Sequence, residues 1–497
     1  MDRRWRALII VCVAIFMLLL DITVVNVALP DIQRQLHASF TDLQWVVDAY
    51  ALMLATVTLI AGSLADLLGR KRVFITGVVI FTTASAICGA ASSPLMLNLS
   101  RGLQGIGGGI MFAVSLAILS QEFHGKERGT AFGIWGATIG LAVAIGPLVG
   151  GALTTWAGWE WIFYVNVPIG IALVAGSIRE LHESRDPEHR GYDIPGFVTL
   201  SLGLLAFVLA LLRGNDWHWS SGRIVGLFAA AAVLLAAFVL VEWRQRNPMV
   251  DLSLFRVPTF AGAQIVAFAI SAGMFAQLLY LTLYLQNVLG YSPIQAGARF
   301  LPLSLLAFVI SPVAGRLSVR IPVRILLGGG LAIVGLALVL MHGVTPSSSW
   351  TTLLAGLVVG GIGIGFVNPP LASTAVGVVP PPRAGMASGI NSTFRQIGIA
   401  TGTAALGAIL ESRVRSELAG SAAAPFLKAA AAGRVLVAPP ALQEQVRAAY
   451  ISGLNEVLLV GAIVCFVGAG LAFVLVRRRD FVPFRPAVEA PAAEQAA

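Results

Sequence analysis

The stretch Gly62-Ser63-Leu64-Ala65-Asp66-Leu67-Leu68-Gly69-Arg70-Lys71-Arg72 decides the fold. It separates two apolar runs, residues 44–64 and 73–92. Each run has about the 20 residues an α-helix needs to cross a bilayer. The link between them is too short to be anything but a tight turn. Gly62 lets two helices approach closely, and Gly69 supplies backbone freedom at the turn. Asp66 can cap a helix end and pair with Arg70. The Arg70-Lys71-Arg72 cluster assigns the turn to the cytoplasmic side.

The whole chain has the same character. It is 57% hydrophobic and 11% charged, against about 25% charged in soluble domains. A mean hydropathy of +0.85 over 497 residues describes a polytopic membrane protein rather than a soluble one with an anchor. Cys12, Cys88 and Cys465 all lie inside apolar runs, so they form neither a disulfide framework nor a metal cluster. The basic leader Asp2-Arg3-Arg4-Trp5-Arg6 precedes an apolar run too long for a signal peptide and reads as the start of an uncleaved first helix.

About fourteen spans are expected, at 7–28, 44–64, 73–92, 95–119, 130–153, 162–178, 194–212, 224–241, 259–288, 295–319, 323–341, 351–379, 387–410 and 453–476. An even count puts both termini on one side. That side carries 22 Lys and Arg and the other eight, with Arg101, Arg299 and Arg395 deeper within spans. Both termini are therefore assigned to the cytoplasm. The net charge of +9 is topological, which argues against a nucleic-acid partner. Ala61-Gly62-Ser63-Leu64 recurs as Ala314-Gly315-Arg316-Leu317 at an offset of 253 residues, with Val319 where Asp66 has its counterpart. Six helices with short loops need only about 180–200 residues. The expected organisation is a six-helix half (1–178), a two-helix insert (179–258), a second six-helix half (259–479) with a long external loop (412–452), and a disordered tail (480–497).

Together with its spacing, the Gly62–Arg72 turn closely resembles the signature loop between the second and third helices of the major facilitator superfamily. Asp21 stands about fourteen residues into the first span. A carboxylate there costs at least a few kcal/mol unless paired or hydrated, the profile of a proton carrier. Its setting, Leu20-Asp21-Ile22-Thr23-Val24-Val25-Asn26-Val27-Ala28-Leu29-Pro30, resembles the first helix of fourteen-span drug:proton antiporters of the EmrB/QacA type. Arg101, in Arg101-Gly102-Leu103-Gln104-Gly105-Ile106-Gly107, resembles the family motif whose arginine is associated with proton transfer. A buried Arg must pair, and Asp21 is its natural partner. Asp48, one turn into span two, is either a helix-start carboxylate or a second coupling acid. Gly146, Pro147 and Gly150 permit close packing and a bend in span five, and resemble the antiporter motif of exporters. Span thirteen, Gly389-Ile390-Asn391-Ser392-Thr393-Phe394-Arg395-Gln396-Ile397-Gly398, also matches the type. Extra acids that some relatives carry in spans ten and thirteen are missing here, apart from Glu411 at an outer end.

The resemblance implies an all-α major facilitator fold and a transporter rather than an enzyme. The expected activity is proton-coupled export of lipophilic, often cationic, compounds by alternating access across the bacterial inner membrane. Candidates for the cavity lining are Asn26, Gln104, Gln277, Tyr280, Tyr284 and Asn391. The motif residues Gly62, Asp66, Gly69, Arg70 and Lys71 are expected to control conformation. No cofactor or metal site is implied; the chain lacks a phosphate-binding G-x-x-x-x-G-K-[ST] loop and a G-x-S-x-G elbow. Partners are the lipid bilayer, protons and small molecules, with a periplasmic adaptor compatible. An importer or exporter of a specific metabolite is the competing transport reading; a receptor or membrane enzyme finds no supporting constellation.

Overall fold

Short polar capping sequences set where the helices begin. Ser39 accepts from the Asp42 amide while the Asp42 carboxylate accepts from the Ser39 amide, a reciprocal cap that starts α2 (Phe40–Leu68). Ser93 followed by Pro94 starts α4 (Pro94–Glu122). Ser292 with Gln295, around Pro293, does the same for α10 (Pro293–Leu317). The computed structural model describes residues 2–185, 193–245 and 248–481. The remaining long helices are α1 (Arg3–Leu36), α3 (Arg70–Gly89), α5 (Gly125–Trp156) and α6 (Trp161–Glu180). Then come α7 (Ile194–Trp217), α8 (Gly222–Arg244), α9 (Pro258–Val288) and α11 (Val323–Met341). The last are α12 (Leu354–Gly377), α13 (Ala384–Leu418) and α14 (Gln443–Leu475).

The architecture is all-α, with no strand among the described residues. Twelve of these helices are long and apolar enough to cross a membrane among the described residues. The other two, α5 and α13, are 32 and 35 residues long and pack within the bundle. Large apolar side chains left on the outside, such as Val233 and Trp243 on α8, give the bundle a surface suited to lipid. The expected tail lies outside the described residues from 482 onward. The expected loop 412–452 is shorter than its apolar pattern suggests. Helix α13 runs on to Leu418, and α14 begins at Gln443. Between them short helical turns fold back, with Ala430, Val435 and Ala438 buried. The helices outrun the apolar runs because a helix can continue in polar sequence once it leaves the bilayer.

The insert helices α7 and α8 pack on each other, and α7 also lies against both α2 and α13. Val208 of α7 is buried beside Leu52 and Ala55 of α2, with Ala400 of α13 against the same cluster. The insert therefore bridges the seam between the halves. In α9 the regular helix is interrupted by wider π-type turns at Ser271–Phe275 and Tyr284–Val288. Such turns often mark functional segments.

Candidate functional site

Asp21 and Arg101 meet in the interior of the first half. Asp21 comes from the middle of α1 and Arg101 from the second turn of α4, and both are almost completely buried. Arg101 Nη1 donates to Asp21 Oδ2. The rest of the polar shell leaves few groups unmatched. Gln104 Nε2 donates to Asp21 Oδ1 at 2.9 Å, and Asn166 Nδ2 reaches the same oxygen at 3.3 Å. Arg101 Nη1 also donates to Gln104 Oε1 at 2.7 Å, and Arg101 Nε to the Val46 carbonyl at 3.0 Å. Asn166 in turn donates to Ser85 Oγ at 3.0 Å, and Ser85 to the Phe163 carbonyl at 2.9 Å. The guanidinium lies over the Tyr50 ring, 4.3 Å from its centroid. Five helices, α1, α2, α3, α4 and α6, thus meet in one network around that carboxylate, with α4 and α6 donating to it directly. Gln104, expected in a cavity lining, is a member of this network and has no exposed surface. Sequence reading missed Asn166, Ser85 and Tyr50; the signal was present only as polar residues in apolar segments that must find partners.

The helix carrying Asp21 is held against α5 immediately beyond the carboxylate. A Cβ added at Gly146 would run into Thr23, and one at Gly150 would lie 3.0 Å from the Val24 carbonyl. Only glycine allows that approach. The side chain of Pro147 lies outside the described residues.

The Gly62–Arg72 turn works across the halves. Asp66 Oδ1 accepts from Arg70 Nε at 3.1 Å and Nη2 at 2.9 Å, and from the Gly385 amide at 2.9 Å. Asp66 Oδ2 accepts from the Met386 amide at 2.8 Å. Gly385 and Met386 are in the first turn of α13, so a carboxylate of the first half caps a helix of the second. Arg70 also donates to the Pro381 and Pro382 carbonyls at 2.8 and 2.9 Å. Gly62 abuts Gly385 and Gly389 so closely that any Cβ would collide. The start of α3 is capped by Glu183, which accepts from the Lys71 and Arg72 amides at 3.1 and 3.2 Å, while Lys71 Nζ donates to the Ile178 carbonyl at 2.6 Å. Gly69 makes the turn with φ +109°, a conformation that favours glycine. On the opposite seam Gly315, the repeat counterpart of Gly62, abuts Gly129 of α5. The bundle end bearing the α2–α3 turn is therefore shut by two Gly–Gly contacts, and among the described residues an ion pair, Asp66–Arg70, reinforces only the first.

Asp48 has a partner that the sequence did not reveal. Arg213 of α7 reaches Asp48 Oδ2 at 3.1 Å and Asp216 Oδ2 at 3.2 Å, stacks 4.4 Å above the Trp45 ring and is almost fully buried. The ion pair pins the insert to α2. Read along the chain, Arg213 counted as a loop residue; it lies within the end of α7.

The remaining cavity candidates fall elsewhere. Asn26 is exposed and donates only to the Ile22 carbonyl of its own helix at 3.3 Å. Gln277 donates to the Val457 carbonyl of α14 at 2.6 Å, Tyr280 to the Thr403 carbonyl of α13, and Tyr284 to the Ser348 carbonyl at 3.4 Å. These three are buried bridges within the second half, because a hydroxyl or amide among apolar helices is satisfied by the nearest free carbonyl. Asn391 donates to Gln264 Oε1 at 3.2 Å. No group of three or more metal-ligating side chains occurs among the described residues.

Comparison with known proteins bears on the whole chain. The profile of the family described as Major Facilitator Superfamily matches residues 11–403. The "Multidrug resistance protein Stp" of Mycobacterium tuberculosis is 38% identical, over 80% of this chain and 74% of that protein. The "Tetracenomycin C resistance and export protein" of Streptomyces glaucescens is 34% identical, over 95% of this chain and 91% of that protein. Among solved structures, the human organic anion transporter MFSD10 shares the fold with a TM-score of 0.64 at 15% identity, covering 95% of this chain and all of that one.

Proposed function

Because this chain belongs to the Major Facilitator Superfamily, we propose that it is a proton-coupled exporter of lipophilic compounds, of the fourteen-span drug:proton antiporter type. The observation that carries the reading is the Asp21–Arg101–Gln104–Asn166 network, a titratable carboxylate tied to a guanidinium inside a membrane span. Relatives named for resistance and export support the direction of transport. We assign both termini, and the shut end of the bundle, to the cytoplasm of a bacterial cell.

The coupling follows from charge bookkeeping. While Asp21 is ionised, Arg101 is neutralised and α1, α4 and α6 are drawn together. A proton on Asp21 Oδ2 removes the charge that Arg101 needs, so the network must rearrange. The rearrangement reaches α5 through Thr23 and Val24 on Gly146 and Gly150, and α5 meets the second half at Gly129. The expected preference for cations has weaker support. Both Asp21 and Asp48 already hold arginines, so neither offers a free negative charge to a cationic compound.

Everted membrane vesicles given an inward-acidic gradient test the proposal. Accumulation of lipophilic dyes that collapses with a protonophore is the expected result. Accumulation unaffected by the protonophore would contradict proton coupling, and accumulation by right-side-out vesicles would point to import.

A further inference from the structure

Among the described residues, the second half contains a buried guanidinium with no acid to answer it. Arg395 lies in the fourth turn of α13 and is 5% exposed. Its Nη1 donates to Asn368 Oδ1 of α12 at 3.0 Å. Its Nε and Nη2 are buried and without a partner. The contrast with the first half is direct, since Arg101 has Asp21. The sequences of α9, α10, α11 and α12 contain no Asp or Glu. Glu411 is sixteen residues further along α13, about 24 Å by helix rise, and pairs with Arg415 at 3.0 Å. A charge left unpaired inside a membrane protein is costly, and such residues commonly face substrate or ion pathways.

The position of Arg395 fits a pathway. Ser388 of α13 donates to the Ala113 carbonyl of α4, so that helix face looks across the seam between the halves. Arg395 is seven residues on, two turns along the same face. Its partner Asn368 also stands at the seam, where a Cβ on Gly136 of α5 would lie 3.5 Å from the Asn368 Cβ. Arg395 therefore lies between the halves, beyond the contacts that shut the α2–α3 end. The geometry of the free edge is informative too. With Nη1 committed to Asn368, the Nε and Nη2 donors remain side by side, the pair that grips a carboxylate with two parallel hydrogen bonds.

We propose that Arg395 is the docking point for a carboxylate, or a similarly delocalised oxyanion, on the exported compound. The inference rests on the exporter reading and names the substrate class of that site. Compounds with an apolar body and one acidic group are preferred over their neutral esters. Asn368 acts as a positioning residue that turns the two-donor edge toward the seam.

The test uses pyrenebutyrate and its methyl ester, which share one apolar fluorophore. Binding is read by fluorescence on the purified full-length protein, and uptake in everted vesicles. The expected result is that wild type binds the acid roughly tenfold to a hundredfold more tightly than the ester. Arg395→Gln removes the preference, bringing the Kd values of acid and ester together; Arg395→Lys keeps part of the preference. Asn368→Asp supplies an internal carboxylate to the guanidinium and abolishes the preference with Arg395 in place. It carries the test if Arg395→Gln fails to fold. Equal binding of acid and ester by wild type, no binding of the acid, or a preference that survives in Arg395→Gln or Asn368→Asp would overturn the proposal. Proton-driven uptake without acid preference removes this proposal and leaves the exporter reading. An Arg395-dependent preference without proton-driven uptake does the reverse.

Discussion

Asp21 and Arg101 show what a single residue can be asked to do in a membrane. Removing one member of a buried ion pair commonly costs about 3–5 kcal/mol, because the other charge is left stranded. Arg101→Ala is therefore expected to lower the yield of folded protein more than Arg101→Lys. The double variant Asp21→Asn with Arg101→Ala should be less damaging to thermal stability than the sum of the two singles. Simple additivity would mean that the two side chains do not interact. The pair was legible in the sequence because two charges in apolar segments had to find each other. Its surroundings were not. Nothing in the order of residues says that Asn166, 145 positions away, donates to Asp21. Nor does it say that Asp48 is claimed by an arginine of the insert.

Helix α13 is tied to the first half by the turn that caps it. Asp66 accepts from two amides in the first turn of α13, where a negative charge is favoured by the helix dipole. Asp66→Asn keeps the shape but loses the charge. The shut arrangement should weaken by roughly 1–2 kcal/mol, about a tenfold shift in the gate equilibrium. A cysteine at the buried position Ser392, in a variant lacking Cys12, Cys88 and Cys465, should then be alkylated roughly tenfold faster from the α2–α3 side. An unchanged rate would mean that Asp66 does not hold the gate. Among the described residues no ion pair spans the other seam, which is closed by the Gly129–Gly315 contact and a hydrogen bond from Arg128 Nη2 to the Ser373 carbonyl of α12 at 3.2 Å. Gly315→Val should leave the halves folded but unable to meet at Gly129, abolishing transport while purified protein stays monodisperse. The role of Gly62 in a close approach was readable from its spacing. That Asp66 caps a helix 319 residues away was not, since capping by sequence is inferred only from neighbours.

For the whole molecule, the halves, the all-α fold and the two-helix insert follow from hydropathy, the basic-residue bias and the 253-residue repeat. The insert's bridging position does not, because α7 owes its place to a buried Arg213 that resembles a loop charge in one dimension. The fourteen crossings with both ends inside that we propose predict that a cysteine at Ser421 is labelled by an impermeant thiol reagent from outside intact cells. Labelling only after permeabilisation would overturn the topology.

The most direct test of proton coupling at Asp21 is a comparison of wild type and Asp21→Asn reconstituted in proteoliposomes carrying a pH-sensitive dye and an imposed pH gradient. Adding a transported compound should dissipate the gradient through wild type. The variant should still bind the compound and exchange it across the membrane, yet leave the gradient intact. Substrate-driven dissipation by Asp21→Asn at the wild-type rate would contradict the account.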